Sequence, residues 1–142
     1  LELVAALRRH APADKQALIT DLFEKITLYD LKTSMATARK RPDGRYDVTL
    51  TVQARKLYAQ GRGQEQEAPM SEPMAVGLFT LEPGKKGFGA EEIVAFERRT
   101  IRSGTQTLTF VTKTLPRAAG VDPYNMVIDR NGDDNTARVE LR

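Results

Sequence analysis

Between residues 46 and 54 the chain alternates without a break, with Tyr46, Val48, Leu50, Val52 and Ala54 on one parity and Asp47, Thr49, Thr51 and Gln53 on the other. Successive side chains of a strand point to opposite faces, so a period of two predicts a strand with one apolar and one wet face. The residues just before it, Arg41-Pro42-Asp43-Gly44, are a strong tight-turn sequence. Proline presets φ at the second position, and glycine accepts a positive φ at the end. Residues 32–40 then supply the first strand of a β-hairpin.

The same pattern of short alternating runs separated by turn signals continues downstream. Met74, Val76, Leu78 and Thr80 alternate, and Pro83-Gly84 closes that run. Residues 93–102 and 106–115 read as two strands joined at Ser103-Gly104 by a compact hairpin connection. Residues 124–129 and 136–141 complete a count of about seven strands. Sequential antiparallel strands with tight turns predict a mainly β fold, an immunoglobulin-like antiparallel β-sandwich. Residues 60–71, rich in Gly, Gln and Glu, read as a polar loop. The glycine-rich residues 84–89 lack the Gly-Lys-Ser/Thr ending of a phosphate cradle and have no helix pattern behind them, so they read as a flexible loop.

Ahead of this β region the period is helical. Leu3, Val4 and Leu7 share one face, and Leu18, Leu22 and Ile26 recur every four residues beside Ile19 and Phe23, with Asp14 as an N-cap. Two short amphipathic helices are expected, with an apolar stripe that needs something to bury it. The expected organisation is a helical segment over residues 1–29 and a β-sandwich domain over residues 30–142. The chain opens on Leu1, not methionine, which reads as an excised piece of a longer protein.

Composition narrows the chemistry. A chain of 142 residues, 40% hydrophobic and 29% charged, fits one globular domain. It has no cysteine, which excludes disulfides, thiolate zinc ligands and a thiol nucleophile. The net charge of +3 is spread over Arg8-Arg9, Arg39-Lys40-Arg41, Arg55-Lys56, Lys85-Lys86 and Arg98-Arg99, in different predicted elements and not one stripe, so nucleic acid is not an expected partner. The single histidine, His10, can supply only one ligand or base and reads as a helix-end residue. No Ser-His-acid set or Gly-x-Ser-x-Gly elbow is present, so the chain is expected to be non-catalytic, with no cofactor of its own.

The carboxylates that do cluster lie in Asp129-Arg-Asn131-Gly-Asp133-Asp134-Asn135. Asp129, Asn131, Asp133 and Glu140 stand at positions one, three, five and twelve of a calcium loop. Glycine, however, stands at position four and Asp134 at position six, where the sharp turn needs glycine, and the flanks read as strands. An Asx-type turn between two strands accounts for the same residues.

Ala119-Gly-Val-Asp-Pro-Tyr-Asn and Ile128-Asp-Arg-Asn-Gly-Asp-Asp-Asn resemble the C-terminal end of bacterial membrane proteins that fuse an ABC-transporter permease to a gluzincin zinc aminopeptidase. Phe23-Glu-Lys-Ile-Thr-Leu-Tyr-Asp-Leu-Lys, Gly77-Leu-Phe-Thr and Phe96-Glu-Arg-Arg look similar to the same region, so the resemblance covers nearly the whole chain. In that family the His-Glu-x-x-His helix lies upstream. The present sequence contains no such motif, so no catalytic or metal residue carries over. The resemblance implies an accessory β-sandwich packed on an upstream peptidase domain of the same chain, with zinc and membrane attachment belonging to the parent protein and an extracytoplasmic location. A peptide or protein partner would meet residues 60–71 and 84–89. The alternative is an independent carbohydrate- or calcium-binding sandwich that uses the acidic turn.

Overall fold

The computed structural model describes residues 2–60 and 62–142; Leu1 and Gly61, which the expectations for the helical segment and the polar loop include, lie outside the described residues. The predicted sandwich is present as two sheets, with nine strands among the described residues where turn signals mark about seven.

The hairpin is its largest part. β1 (Ile26–Lys40) and β2 (Tyr46–Gln60) run antiparallel from Ile26 opposite Ala59 to Lys40 opposite Tyr46. At their turn Arg41 N donates to Arg45 O at 2.7 Å and Gly44 N to Arg41 O at 3.0 Å. Gly44 has φ +86°, which a side chain would disfavour. The strand begins at Ile26, so the expected helical segment is shorter than residues 1–29. Residues 26–29 are Ile-Thr-Leu-Tyr, good strand formers, and opposite them β2 offers Lys56, Leu57, Tyr58 and Ala59.

β1 changes phase midway. Leu31 and Thr33 are buried before the bulge, Ala36 and Ala38 after it. The pairing steps from Thr33 opposite Val52 to Met35 opposite Thr51, leaving Ser34 as an extra residue whose hydroxyl donates to Thr51 O at 3.2 Å. A one-residue shift sends every later side chain to the opposite face, so the bulge converts odd-numbered burial into even-numbered burial.

The other edge of β2 carries two strands end to end. β3 (Gln64–Ala68) pairs with Lys56–Gln60, and β6 (Gly104–Thr112) pairs with Tyr46–Ala54. The second sheet is antiparallel, with β5 (Ile93–Arg102), β4 (Ser71–Phe79), β7 (Ala118–Val121) and β8 (Thr136–Arg138) in that order. β9 (Glu140–Leu141) returns to the first sheet, parallel to β1 at Thr37 and Ala38. Between the sheets lie Leu31, Val48, Leu50 and Val52 from the first and Val76, Leu78, Ile101 and Val121 from the second, all fully buried.

Four expectations for the strands and their connections are corrected. Residues 60–71 are not a loop throughout, because β3 runs through them; an exposed edge strand draws its pairing from the backbone and needs no apolar alternation. Ser103-Gly104 does not join a hairpin, because β5 pairs with β4 and β6 with β2. It is a corner between sheets, held where Ser103 N donates to Met70 O, Met70 N to Ser103 Oγ, and the Gln106 amide bonds both N and O of Arg102. Residues 124–129 are a turn in place of a strand, since the Asp122 carboxylate takes the N–H groups of Met126 at 2.9 Å and Val127 at 3.2 Å. Residues 136–141 form two short strands in different sheets, because β8 pairs with β7 and β9 with β1.

The helical segment is α1 (Glu2–His10), a 3₁₀ turn (Ala13–Lys15), α2 (Gln16–Ile19) and a π-helical turn (Thr20–Glu24). Arg8 binds it together, with its guanidinium on both oxygens of Glu24 at 2.9 and 2.6 Å and on Thr20 Oγ1 at 2.7 Å. That hydrogen bonding holds the Glu24 carboxyl below its usual range. Pro12 occupies the position before the 3₁₀ turn, so Asp14 sits inside it and does not cap a helix.

Candidate functional site

Two polar clusters and one groove concentrate the chemistry of this fold. The first cluster is the acidic turn. Asp129 is drawn onto β1, where Tyr29 N donates to Ile128 O at 2.8 Å and Arg130 N donates to Tyr29 O at 2.9 Å. Asp129 Oδ1 accepts from Asn131 N at 3.1 Å and Leu31 N at 3.4 Å. A 3₁₀ turn (Gly132–Asp134) follows, capped by Asn131 Oδ1, which accepts from Asp133 N at 3.2 Å. Asn135 is then buried to 1% exposure, its carbonyl accepting from Thr33 Oγ1 at 2.6 Å and Val121 N at 3.1 Å. Gly120 permits this approach, because a Cβ there would meet Asn135 O at 2.0 Å.

The four residues of the calcium-loop register are not brought together as that register requires. Asn131 spends its side-chain oxygen on the cap and Asp133 is exposed. Glu140 stands exposed on β9 and pairs with Arg142 at 3.4 Å. The oxygens left buried without a hydrogen-bond partner belong to a different set: Asp129 Oδ2, Asp134 Oδ1 and Asn135 Oδ1. Burial pushes the Asp129 carboxyl above its usual range, and neighbouring Asp134 adds to the shift. The preceding Asp-Pro-Tyr-Asn is a turn in which Asp122 and Asn125 take positive φ, at +42° and +52°, as these short polar side chains tolerate.

The second cluster was not legible as a site. Lys56 continues the inward parity of β2 beyond Ala54 and is 3% exposed. Its ammonium lies 2.5 Å from Asp21 Oδ2 and 2.5 Å from Glu72 Oε1. Tyr58 donates to Asp21 Oδ1 at 2.8 Å, and Tyr29 donates to Glu72 Oε2 at 2.6 Å. Burial pulls the Lys56 ammonium down, but its hydrogen bonds to the two carboxylates outweigh that and leave it raised. Burial pushes the Tyr29 phenol well up, reinforced by Glu72. A lysine held protonated in this way is no nucleophile or base; the cluster clamps the π-helical turn to both sheets. A lysine at an inward position of an alternating strand is the signal that marks it.

The groove, of about 680 Å³, runs between β5 and β6, which diverge from the Ser103 corner and each pair on one edge only. Phe96 and Val111 are exposed along it. Arg99 spans it, with its guanidinium 4.4 Å from the Phe110 ring centre and 3.2 Å from Thr109 O. Residues 84–89 are anchored by Phe88, whose ring packs edge-on against Phe79 at 5.7 Å and Tyr124 at 6.4 Å. Only a 3₁₀ turn (Ala90–Glu92) follows them, so the arrangement of a phosphate cradle is not formed. His10 is exposed at the end of α1.

No family model matches the sequence, no curated protein matches it, and no solved structure matches the fold.

Proposed function

We propose that this chain is a non-catalytic accessory β-sandwich that docks onto a helical peptidase domain, the place that its resemblance to permease–aminopeptidase fusions implies. One observation carries the reading: the helical segment leaves much of its apolar stripe in water. Its polar residue Asp21 is turned onto the sandwich through Lys56 and Tyr58. Val4 and Ile19 are buried, but its apolar residues Leu18, Leu22 and Phe23 are 49%, 64% and 48% exposed. Short amphipathic helices take their stability from burial of the apolar face, so a segment arranged this way is completed by an apolar partner surface. Helices of a preceding domain are that partner, with the sandwich as a rigid support.

The reading frame upstream of Leu1 is the first test, and it should encode a His-Glu-x-x-His helix and membrane-spanning segments. The second is binding. The encoded peptidase domain, added in trans, should associate with the wild-type chain and lose at least about tenfold in affinity for a Leu22→Ser/Phe23→Ser variant, about 1.4 kcal/mol. A frame without the zinc motif, or equal binding by the variant, defeats the proposal.

A further inference from the structure

We propose that Arg99 is an edge guard, closing the free edge of β6 against strand addition by a second copy of this chain. Among the described residues, β3, β5, β6, β8 and β9 each pair on one edge only. β3, β8 and β9 are five, three and two residues long, which leaves little edge to build on. β5 and β6 have ten and nine residues. β5 is charged along its length, at Glu97, Arg98, Arg99 and Arg102, whereas β6 has neither a charge nor a proline. Its residues 105–112 are Thr-Gln-Thr-Leu-Thr-Phe-Val-Thr, an uncharged run of strong strand formers of the kind that stacks on its own copies. Pairing β6 on β6 brings no like charges together, which makes a second copy the partner that this edge fits.

The protection comes from the opposite wall of the groove. Arg99 shares the inward parity of Ile101, and Glu97 holds its guanidinium at 2.7 Å. Reaching across, that guanidinium donates to Thr109 O at 3.2 Å and lies 4.4 Å from the Phe110 ring centre. Thr109 stands opposite Thr49, so a Thr109 carbonyl that accepts from the β5 side faces the groove and not β2. The N–H of a strand residue leaves on the same side as its C=O, which puts Thr109 N on the open edge as well. An added strand would have to take this acceptor from Arg99 and bury the charge beneath itself, which is costly. The helical segment has no part in this, so the inference goes beyond the docking proposal and stands or falls apart from it.

The test is sedimentation velocity of the whole 142-residue chain over a concentration series, with amide chemical-shift dispersion as the check on folding. Arg99→Ala should self-associate at least about tenfold more tightly than the wild type. Arg99→Ala/Thr109→Pro should return to wild-type behaviour, because proline removes a donor from the open edge and none from the ladder with β2. Association caused by unfolding would not be rescued by a proline in a strand. Leu22 and Phe23 are unchanged throughout, so any association through them cancels in the comparison. The proposal is overturned if Arg99→Ala associates no more than the wild type, or if the double variant associates as strongly as the single one.

Discussion

Lys56 Nζ and Asp21 Oδ2 lie 2.5 Å apart, joining the inward face of β2 to a helical turn 35 residues earlier in the chain. With Glu72 on the other side, the ammonium balances carboxylates from two elements. Removing it strands both. Lys56→Met is therefore expected to cost about 3–5 kcal/mol in urea unfolding. Hydrogen exchange should rise in residues 20–24 before it rises in the strands. A triple variant that also carries Asp21→Asn and Glu72→Gln should recover a substantial part of the loss, because no buried charge is then left alone.

The same cluster gives the fold an alkaline limit. Burial and the hydrogen bond to Glu72 raise the Tyr29 phenol, while Asp21 and Tyr58 add to the shift; Lys56, also raised, stays charged beside them. A phenol whose folded pKa lies above its unfolded value of about 10 contributes stability that is complete below that value and is lost as pH rises past it. Stability should thus fall above about pH 10. Tyr29→Phe should be less stable than wild type at pH 8 and show a shallower alkaline decline. Parallel declines in the two proteins would show that Tyr29 does not set the limit.

Gly120 is expected to tolerate no side chain. Its would-be Cβ meets backbone, Asn135 O at 2.0 Å and Thr136 Cα at 2.7 Å, and neither can rotate away. Gly120→Ala should destabilise by roughly 3 kcal/mol, at the upper end for overpacking, with the largest amide shifts by NMR at Thr33 and Asn135.

Deleting Ser34 removes the extra residue of the β1 bulge. Thr33 opposite Val52 is then followed directly by Met35 opposite Thr51 and Ala36 opposite Leu50, so Ala36 and Ala38 keep their inward places. The variant is expected to fold, with amide chemical-shift dispersion retained and the largest shifts at Thr33, Met35 and Thr51. Collapse of the dispersion would mean that β1 needs the bulge itself and not only the alternation on either side of it.

The alternation from Tyr46 to Ala54 and the turn at Gly44 were legible because side-chain period and turn chemistry are local properties. β3 was not, since Gln64–Ala68 pairs through its backbone and leaves polar side chains in water. Ser103-Gly104 suits a hairpin and a corner between sheets alike, and only the competition among distant partners decides between them. At the acidic turn, linear spacing chose Asn131, Asp133 and Glu140. The fold instead buries Asn135 and one oxygen of Asp134, because Thr33 bonds the Asn135 carbonyl and Gly120 leaves room for it. Lys56 stands beside the exposed Arg55, and only its parity with Ala54 marks it as inward.

The parallel seat of β9 against β1 also bears on the order in which the chain assembles. Thr37 meets Glu140, and Thr33 holds Asn135 across 102 residues. β1 pairs at once with β2 through a short turn, but its opposite edge waits until nearly the whole described chain has found its place. Closing so long a loop is slow, and during that interval β1 offers unpaired N–H and C=O groups to any other chain. Refolding yield should therefore fall with protein concentration even where the native state is stable, with the exposed edge of β1 as the site of capture.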